Sequence, residues 1–184
     1  MSVTLIIGGA RSGKSGYAEQ QALELLAKRK RNNPQTKLHY IATAEPFDDE
    51  MKVRIALHQE RRDGQWTNHE VPVELPQALE SFTENDIVLV DCLTVWLNNV
   101  IHYLGEDAET NHIQSKLEQL TDALAETKGT IICVSTEVGL GIVPMNALTR
   151  LYVDHAGWMN QGVAKVAEQV NFVVAGLPMK LKGS

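Results

Sequence analysis

The chain has 184 residues, with 17 lysines and arginines against 23 aspartates and glutamates, and 43% of its residues are hydrophobic. This composition predicts one globular domain over residues 1–184, which is long enough to build a core without disulfides. The net charge of −6 disfavours a protein that binds nucleic acid, and no stretch reaches the roughly 20 apolar residues of a membrane-spanning helix.

Both cysteines, Cys92 and Cys133, lie in apolar stretches without a neighbouring C-x-x-C or Cys/His cluster. A disulfide framework and a zinc site therefore lack support in the sequence. The N-terminal apolar run is short and leads into glycines, unlike a signal peptide. These features predict a protein of the reducing cytoplasm.

Five short apolar runs predict buried strands, at residues 3–7, 38–42, 87–90, 130–134 and 172–175. Longer segments with helical spacing separate them, as around Tyr17 and Leu25 or around Ile113 and Leu124. Strands that alternate with helices predict a three-layer α/β domain with a mainly parallel sheet. The polar, acidic residues 105–111 predict an exposed loop between two helices.

The basic run at residues 28–31 has two interpretations. It suggests nucleic-acid binding, but it also falls where the first helix should end, and cations are favourable at a helix C-terminus. The following Asn32, Asn33 and Pro34 are typical of a helix stop. The helix-end interpretation is favoured.

Residues 8–15 match the phosphate-binding pattern G-x-x-x-x-G-K-[ST], directly after a predicted strand and before a predicted helix. The residues are Gly8, Gly9, Ala10, Arg11, Ser12, Gly13, Lys14 and Ser15. Backbone amides of such a loop surround phosphate oxygens, and the helix N-terminus adds positive charge. Lys14 would contact the terminal phosphates, and the Ser15 hydroxyl would bind Mg²⁺. The sequence therefore predicts a site for a nucleoside triphosphate.

Asp91 follows the apolar residues 87–90 at the expected end of a buried strand. A carboxylate there can hold the metal of a phosphate-loop enzyme directly or through water. Asp91 also precedes an apolar segment and could cap its helix. The metal role is favoured, and the two roles are compatible.

Residues 51–62 predict a helix with acids in its first turn, at residues 48–50. Arg54, His58 and Arg62 would share one helix face, because they lie four residues apart. Guanidiniums bind phosphate, and a neutral imidazole can attack phosphorus. From spacing alone, however, a solvated cationic face with an incidental histidine is the better interpretation.

The remaining histidines lack a comparable cluster, which favours structural or surface roles. They are His39, His69, His102, His112 and His155. Trp66, Trp96 and Trp158 are candidate stacking platforms for a ligand, but core packing is an equally good interpretation of each.

Together these motifs resemble the bifunctional adenosylcobinamide kinase/adenosylcobinamide-phosphate guanylyltransferases of cobalamin biosynthesis. The resemblance covers essentially the whole chain. It is carried by residues 8–15, 40–44 and 91–94, by positions within 49–58, and by residues 137–144 with positions within 146–161. Each piece is modest evidence, but their order is specific.

The resemblance implies phosphorylation of adenosylcobinamide by ATP or GTP. It then implies GMP transfer from GTP to adenosylcobinamide phosphate, with release of pyrophosphate. It also implies a RecA-like P-loop fold and a homo-oligomer, commonly a trimer. The guanylylated histidine would be His58. Further nucleotide contacts would be Ala42, Thr43, Ala44, Gln59, Glu60, Arg61, Arg62, Glu70 and Asp91.

Residues 137–144 contain Gly139 and Gly141 and follow a predicted strand, which favours a loop facing the substrate or a neighbouring subunit over a simple connection. The chain departs from the family pattern at Thr136, Met145 and Val153, where asparagine, glutamate and arginine are usual. Two alternatives to the bifunctional enzyme remain: a monofunctional P-loop kinase, and a nucleotide-dependent regulatory or nucleic-acid-binding module.

Overall fold

One sheet organises the chain in the computed structural model, which describes residues 2–45, 64–105 and 110–183. Its strands are β1 (Ser2–Gly8), β2 (Lys37–Ala42), β3 (Trp66–Glu70), β4 (Asp86–Asp91), β5 (Thr130–Thr136), β6 (Gln169–Val174) and β7 (Leu177–Lys182). The strand order is β3-β2-β4-β5-β1-β6-β7. Within the described ranges, β6 and β7 are the antiparallel pair, and the other neighbours are parallel.

Helices cover both faces of this sheet. They are α1 (Lys14–Lys30), α2 (Leu75–Glu80), α3 (Leu93–Leu104), α4 (Thr110–Glu126) and α5 (Ala147–Val166). The buried side of α1 packs on one face, where Ala18, Ala22 and Leu26 meet the strands. The other four helices form a second core on the opposite face. The predicted three-layer, mainly parallel α/β class is confirmed.

The strand predictions hold in the buried centre of the sheet and fail at its rim. Four of the five predicted runs lie wholly in strands. The fifth, 172–175, is shifted, because β6 begins at Gln169 and ends at Val174, and Ala175 lies in the turn that follows. Sequence reasoning missed β7, because all six of its residues are exposed and lack a buried alternation. It also missed α2, which has only six residues. The predicted helix over residues 51–62 lies outside the described residues.

The basic run closes α1, as the helix-end interpretation predicted. Lys28, Arg29 and Lys30 form its last turn. Arg29 also donates to the Thr130 hydroxyl at 2.6 Å, which ties this end of the helix to β5. Within the described ranges, no helix is both long and apolar enough to cross a membrane.

His39 on β2, His69 on β3 and Asp86 at the start of β4 form a hydrogen-bonded chain across three neighbouring strands. The two rings of His39 and His69 approach to 3.0 Å between nitrogens, and His39 Nε2 lies 3.1 Å from Asp86 Oδ1. The Thr83 amide and hydroxyl both donate to Asp86 Oδ2 at 2.8 Å. This arrangement supports a structural role for both histidines.

The pKa of each partner follows from these contacts. Burial alone would raise the pKa of Asp86, but hydrogen bonds from Thr83 and His39 outweigh it and hold the pKa below its ordinary value. Burial, followed by repulsion from His39, lowers the pKa of His69. The pair of histidines therefore favours a neutral His69.

We predict that Asp86→Asn lowers the free energy of unfolding near neutral pH but not in acid. A carboxyl whose folded pKa is depressed stabilises the fold above its unfolded pKa, and this contribution is lost as pH falls through the folded pKa. The difference in free energy of unfolding between the variant and the original chain should therefore shrink below about pH 4. Urea unfolding over a pH series measures it. Glu80→Gln, which changes an exposed acid on α2, is the control; a difference that is constant with pH would contradict the prediction.

Candidate nucleotide site

The predicted site residues of four strands meet at the carboxyl edge of the sheet. Glu70 on β3 pairs with Ala42 on β2, and Ala42 pairs with Asp91 on β4. These three residues therefore lie in one row across neighbouring strands. The phosphate loop leaves β1 at the same edge, and β5 lies between β1 and β4. Ligands of open α/β folds bind at this edge.

The phosphate loop connects β1 to α1 in a conformation that needs glycine. Gly13 is the N-cap residue of α1 and has φ 95°, and Arg11 has φ 55°. Positive φ values turn successive amides toward one side of the chain, which makes a concave anion site. The N-terminus of α1 adds its partial positive charge there. Gly13 thus adopts the positive φ for which the pattern places a glycine, and phosphate binding by the loop stays a prediction.

Three other segments fasten this loop. The Gly176 amide donates to the Ser12 carbonyl at 2.8 Å, and the Glu137 amide donates to the Gly8 carbonyl at 3.0 Å. A Cβ on Gly8 would lie 2.5 Å from the Val173 carbonyl oxygen. The backbone of β6 therefore approaches Gly8 so closely that a side chain has no room.

Two side chains of the loop carry donors suited to phosphate. Lys14 Nζ donates to the Gly9 carbonyl at 3.0 Å, so the ammonium lies over the loop. An ammonium has three N–H donors, and one bond to Gly9 leaves others for a ligand. The Ser12 hydroxyl is buried and finds no hydrogen-bond partner among the described residues. Ser15 follows Lys14 in the first turn of α1 and is partly buried.

Asp91 ends β4 and is held from the side by Tyr40, whose hydroxyl donates to Asp91 Oδ2 at 3.2 Å. The N-cap of α3 is Cys92, so the helix-cap interpretation of Asp91 is wrong. Asp91 is still the last residue of β4, and the cap position falls on the next residue. Burial, and then the Asp91 charge, raise the pKa of the Cys92 thiol, which stays protonated beside the site.

Thr43 fastens β2 to the turn between β4 and α3. Its hydroxyl donates to the Cys92 carbonyl at 2.8 Å and accepts from the Cys92 amide at 2.9 Å. Asn99 on α3 donates to the Thr43 carbonyl at 2.7 Å and to the Pro72 carbonyl at 3.1 Å. The fully buried Thr43 side chain thus positions neighbouring backbone. Its nucleotide contact, like that of the adjoining Ala44, stays a prediction.

Sequence reasoning did not assign roles to Tyr40, Asn99 or Gly176. Asn99 carries a usable signal, because it is a polar residue among the apolar residues of the mainly apolar helix α3. Tyr40 and Gly176 act through partners that lie far away along the chain. The site residues His58, Gln59, Glu60, Arg61 and Arg62 lie outside the described residues, as does Arg54. Their roles stay predictions.

A magnesium ion fits the donors that the described residues offer. Among them, no three His, Cys, Asp or Glu side chains cluster as a metal cage. Ser15 and Asp91 supply one hydroxyl and one carboxylate, which are hard oxygen donors. Mg²⁺ commonly takes one or two protein oxygens and fills its remaining positions with substrate phosphates and water.

Residues 4–181 match a family described as cobinamide kinase / cobinamide phosphate guanyltransferase. The chain belongs to this family. It is therefore an enzyme of the transferase class, with the cobinamide kinase and cobinamide phosphate guanylyltransferase activities of that family. The identification made from the sequence motifs is confirmed.

Curated relatives agree with the family over nearly their whole length. The chain is 47% identical over 181 residues to the bifunctional adenosylcobalamin biosynthesis protein CobP of Pseudomonas aeruginosa, covering 97% of this chain and 96% of the relative. It is 32% identical over 188 residues to the bifunctional adenosylcobalamin biosynthesis protein CobU of Escherichia coli, covering 97% and 98%. The protein of that name from Salmonella typhimurium is 33% identical over 188 residues, with the same coverage.

Among solved structures, the fold is similar to a KaiC-like protein from Pyrococcus horikoshii. The two share 12% identity with a TM-score of 0.45, over 93% of this chain and 70% of the other.

We predict that Gly8→Ala destabilises this cobinamide kinase family member and weakens nucleotide binding. The new Cβ would clash with the β6 backbone, so overpacking should cost about 1–3 kcal/mol of unfolding free energy. Urea unfolding and titration with a fluorescent GTP analogue measure the two effects. Gly64→Ala is the control, because a Cβ on Gly64 meets no atom of the described residues within 4 Å. Equal stability of the two variants would contradict the prediction.

Proposed function

We propose that the chain catalyses two successive transfers at one nucleotide site. ATP or GTP phosphorylates the aminopropanol hydroxyl of adenosylcobinamide, and GTP then transfers GMP to the resulting phosphate. The phosphate loop carries this proposal, since its amides, Lys14 and the α1 N-terminus converge where a triphosphate would bind. The curated relatives are named as bifunctional proteins of adenosylcobalamin biosynthesis.

In the kinase step, the substrate hydroxyl oxygen attacks the γ-phosphorus in line with the bond to the leaving diphosphate. That P–O bond breaks, the nucleoside diphosphate leaves, and the hydroxyl proton passes to solvent. Such a transfer depends on positioning and on stabilising charge at the phosphate oxygens. Lys14 would move from the Gly9 carbonyl to these oxygens, and the loop amides would hold the inner phosphates.

Ser15 and Asp91 would hold Mg²⁺, which when bound neutralises phosphate charge and orients the phosphate oxygens. The hydrogen bond from the Tyr40 hydroxyl to Asp91 Oδ2 restrains the orientation of the carboxylate. Ala42 pairs with Asp91 in the same row of the sheet, so the end of β2 adjoins this carboxylate.

In the second reaction, an imidazole nitrogen of His58 attacks the α-phosphorus of GTP. The bond to pyrophosphate breaks and an N–P bond forms, which gives a guanylyl-histidine. A phosphate oxygen of adenosylcobinamide phosphate then attacks this phosphorus, the N–P bond breaks, and adenosylcobinamide-GDP is released. The histidine is restored for the next cycle.

The roles of the residues near His58, and of Glu70, are supported by their positions in the sequence and by the family resemblance. Arg54, Arg61 or Arg62 would stabilise charge on the attacked phosphorus. Glu70 is exposed at the site edge and would accept hydrogen bonds from guanine or from ribose. Gln59 and Glu60 would also contact the nucleotide. The resemblance further supports a cytoplasmic homo-oligomer, commonly a trimer, whose mass light scattering would measure.

We predict that His58→Ala abolishes covalent guanylylation while sparing most kinase activity. GTP labelled at the α-phosphate, incubated without corrinoid, should leave acid-labile and base-stable label on the original chain, because a phosphoramidate has that stability. His112→Ala, at an exposed histidine near the start of α4, should label normally. Label retained on the His58 variant would remove this residue from the mechanism. Kinase turnover without any labelling of the original chain would favour a monofunctional kinase.

We predict that Asp91→Asn raises the Mg²⁺ concentration needed for half-maximal kinase activity by about tenfold or more, since losing a carboxylate weakens a metal site. The substitution keeps the side chain's size and an oxygen that can accept from Tyr40. Asp86→Asn is the matched control, because Asp86 lies at the opposite end of the same strand. Equal Mg²⁺ dependence in the two variants would exclude Asp91 from metal binding.

A further inference from the structure

An apolar surface begins beside the phosphate loop and extends along the connection between β5 and α5. The connection starts at Glu137, whose amide bonds the Gly8 carbonyl. Four of its apolar side chains are largely exposed: Leu140 at 79%, Ile142 at 97%, Val143 at 74% and Met145 at 96%. An exposed apolar patch of this kind marks a binding surface rather than ordinary solvent-facing structure.

Trp158 on α5 divides the adjoining surface into two grooves, each of about 440 Å³. The first groove lies between α5 and the loop that includes Val138 and Ile142. The second lies between α5 and α4. Trp158 and Gln161 line both grooves, so together they form one extended surface with an indole at its centre.

The Trp158 indole is held in place from one side and open on the other. Its ring lies 4.9 Å from the His155 ring at 79°, and the buried His155 Nδ1 bonds the Leu151 carbonyl at 2.7 Å. All three tryptophans lie in the described part of the chain, but Trp66 and Trp96 belong to the core. Trp158 is 46% exposed. A fixed, open indole is suited to stacking against a flat conjugated ring.

The charged groups around this surface are three acids and two bases, which leaves one net negative charge. Asp154 and Arg150 line the first groove, and Glu118, Asp122 and Lys165 line the second. The Arg150 guanidinium donates through Nη1 to the Pro144 carbonyl at 3.0 Å and the Met145 carbonyl at 2.6 Å, which fastens this end of the side chain to the loop. An alkylated cobalt(III) corrin carries a net positive charge and a rim of amides. The acids complement that charge, and Gln161 can hydrogen-bond an amide.

We propose that these two grooves bind the corrin ring of adenosylcobinamide, with the ring stacked on Trp158 and the aminopropanol arm directed along Glu137 toward the phosphate loop. This inference rests on the proposed function. The corrin ring is too bulky to enter the phosphate loop, so it must lie on a surface continuous with that loop. The surface around Trp158 meets this requirement through the bond between Glu137 and Gly8.

Trp158→Ala tests the stacking contact. The KM for adenosylcobinamide should rise about tenfold or more through loss of aromatic contact area, with kcat at saturation and the KM for nucleotide nearly unchanged. Guanylylation by GTP in the absence of corrinoid should also be unchanged. Leu23→Ala is the control, since Leu23 is an exposed apolar residue on α1 across the sheet. A KM for corrinoid equal to that of the original chain would overturn the proposal.

Gly157→Leu tests the groove by filling it. Gly157 lines the first groove within α5, and in the described part of the chain a Cβ there meets no atom within 4 Å. Leucine is also a better helix former than glycine, so the fold should be retained. The variant should lose corrinoid binding, Gly157→Ala should lose less, and Ala125→Leu, at an exposed position of α4, should lose none. Unchanged binding by Gly157→Leu would overturn the proposal.

Corrinoid retention by the protein during filtration, read from corrin absorbance, separates this inference from the proposed function. The original chain could bind the corrinoid without turning it over, and Trp158→Ala and Gly157→Leu could lose that binding. This result would support the groove and refute the proposed reactions. Turnover with normal KM in both variants would support the reactions and refute the groove. A smaller oligomer in the variants with corrinoid binding intact would show that a second copy covers the surface, and would also refute the proposal.

Discussion

The site depends on the close contact between Gly8 and the backbone of β6. Because the Val173 carbonyl lies where a side chain would be, the phosphate loop can approach the sheet only at a glycine. The Glu137 amide then binds the Gly8 carbonyl from the opposite neighbour strand. The loop is thus fixed by backbone atoms on both sides, which suits a loop whose own amides must face a ligand.

Two surfaces with different chemistry adjoin the phosphate loop, and both lie on the β5 side of β1. Farther from the loop, Asp91, Ala42 and Glu70 form a row across β4, β2 and β3. Nearer to the loop, the chain beyond Glu137 exposes apolar side chains and leads to Trp158. The two group transfers of this family require the acceptor to reach a phosphorus atom of the bound nucleotide. The sheet order supplies that meeting point, with β5 between β1 and β4.

The sequence allowed the phosphate loop, the central strands and the family to be predicted, because each leaves a local pattern. Asp91 was found through the apolar run before it, yet its partner Tyr40 was not, since that bond joins different strands. The choice among three tryptophans likewise depended on burial, which composition and spacing do not fix. The exposed β7 and the short α2 carry too little periodicity to be predicted.

The antiparallel hairpin of β6 and β7 explains why the sheet extends past its core. β7 buries none of its residues, so it adds little to hydrophobic stability. The turn that leads into it, however, brings the Gly176 amide to the Ser12 carbonyl and sets Gly176 Cα where a Cβ on Gly13 would lie 3.1 Å away. The turn before the last strand therefore restrains the phosphate loop, so a hairpin at the outermost edge of the sheet limits the motion of residues near its centre.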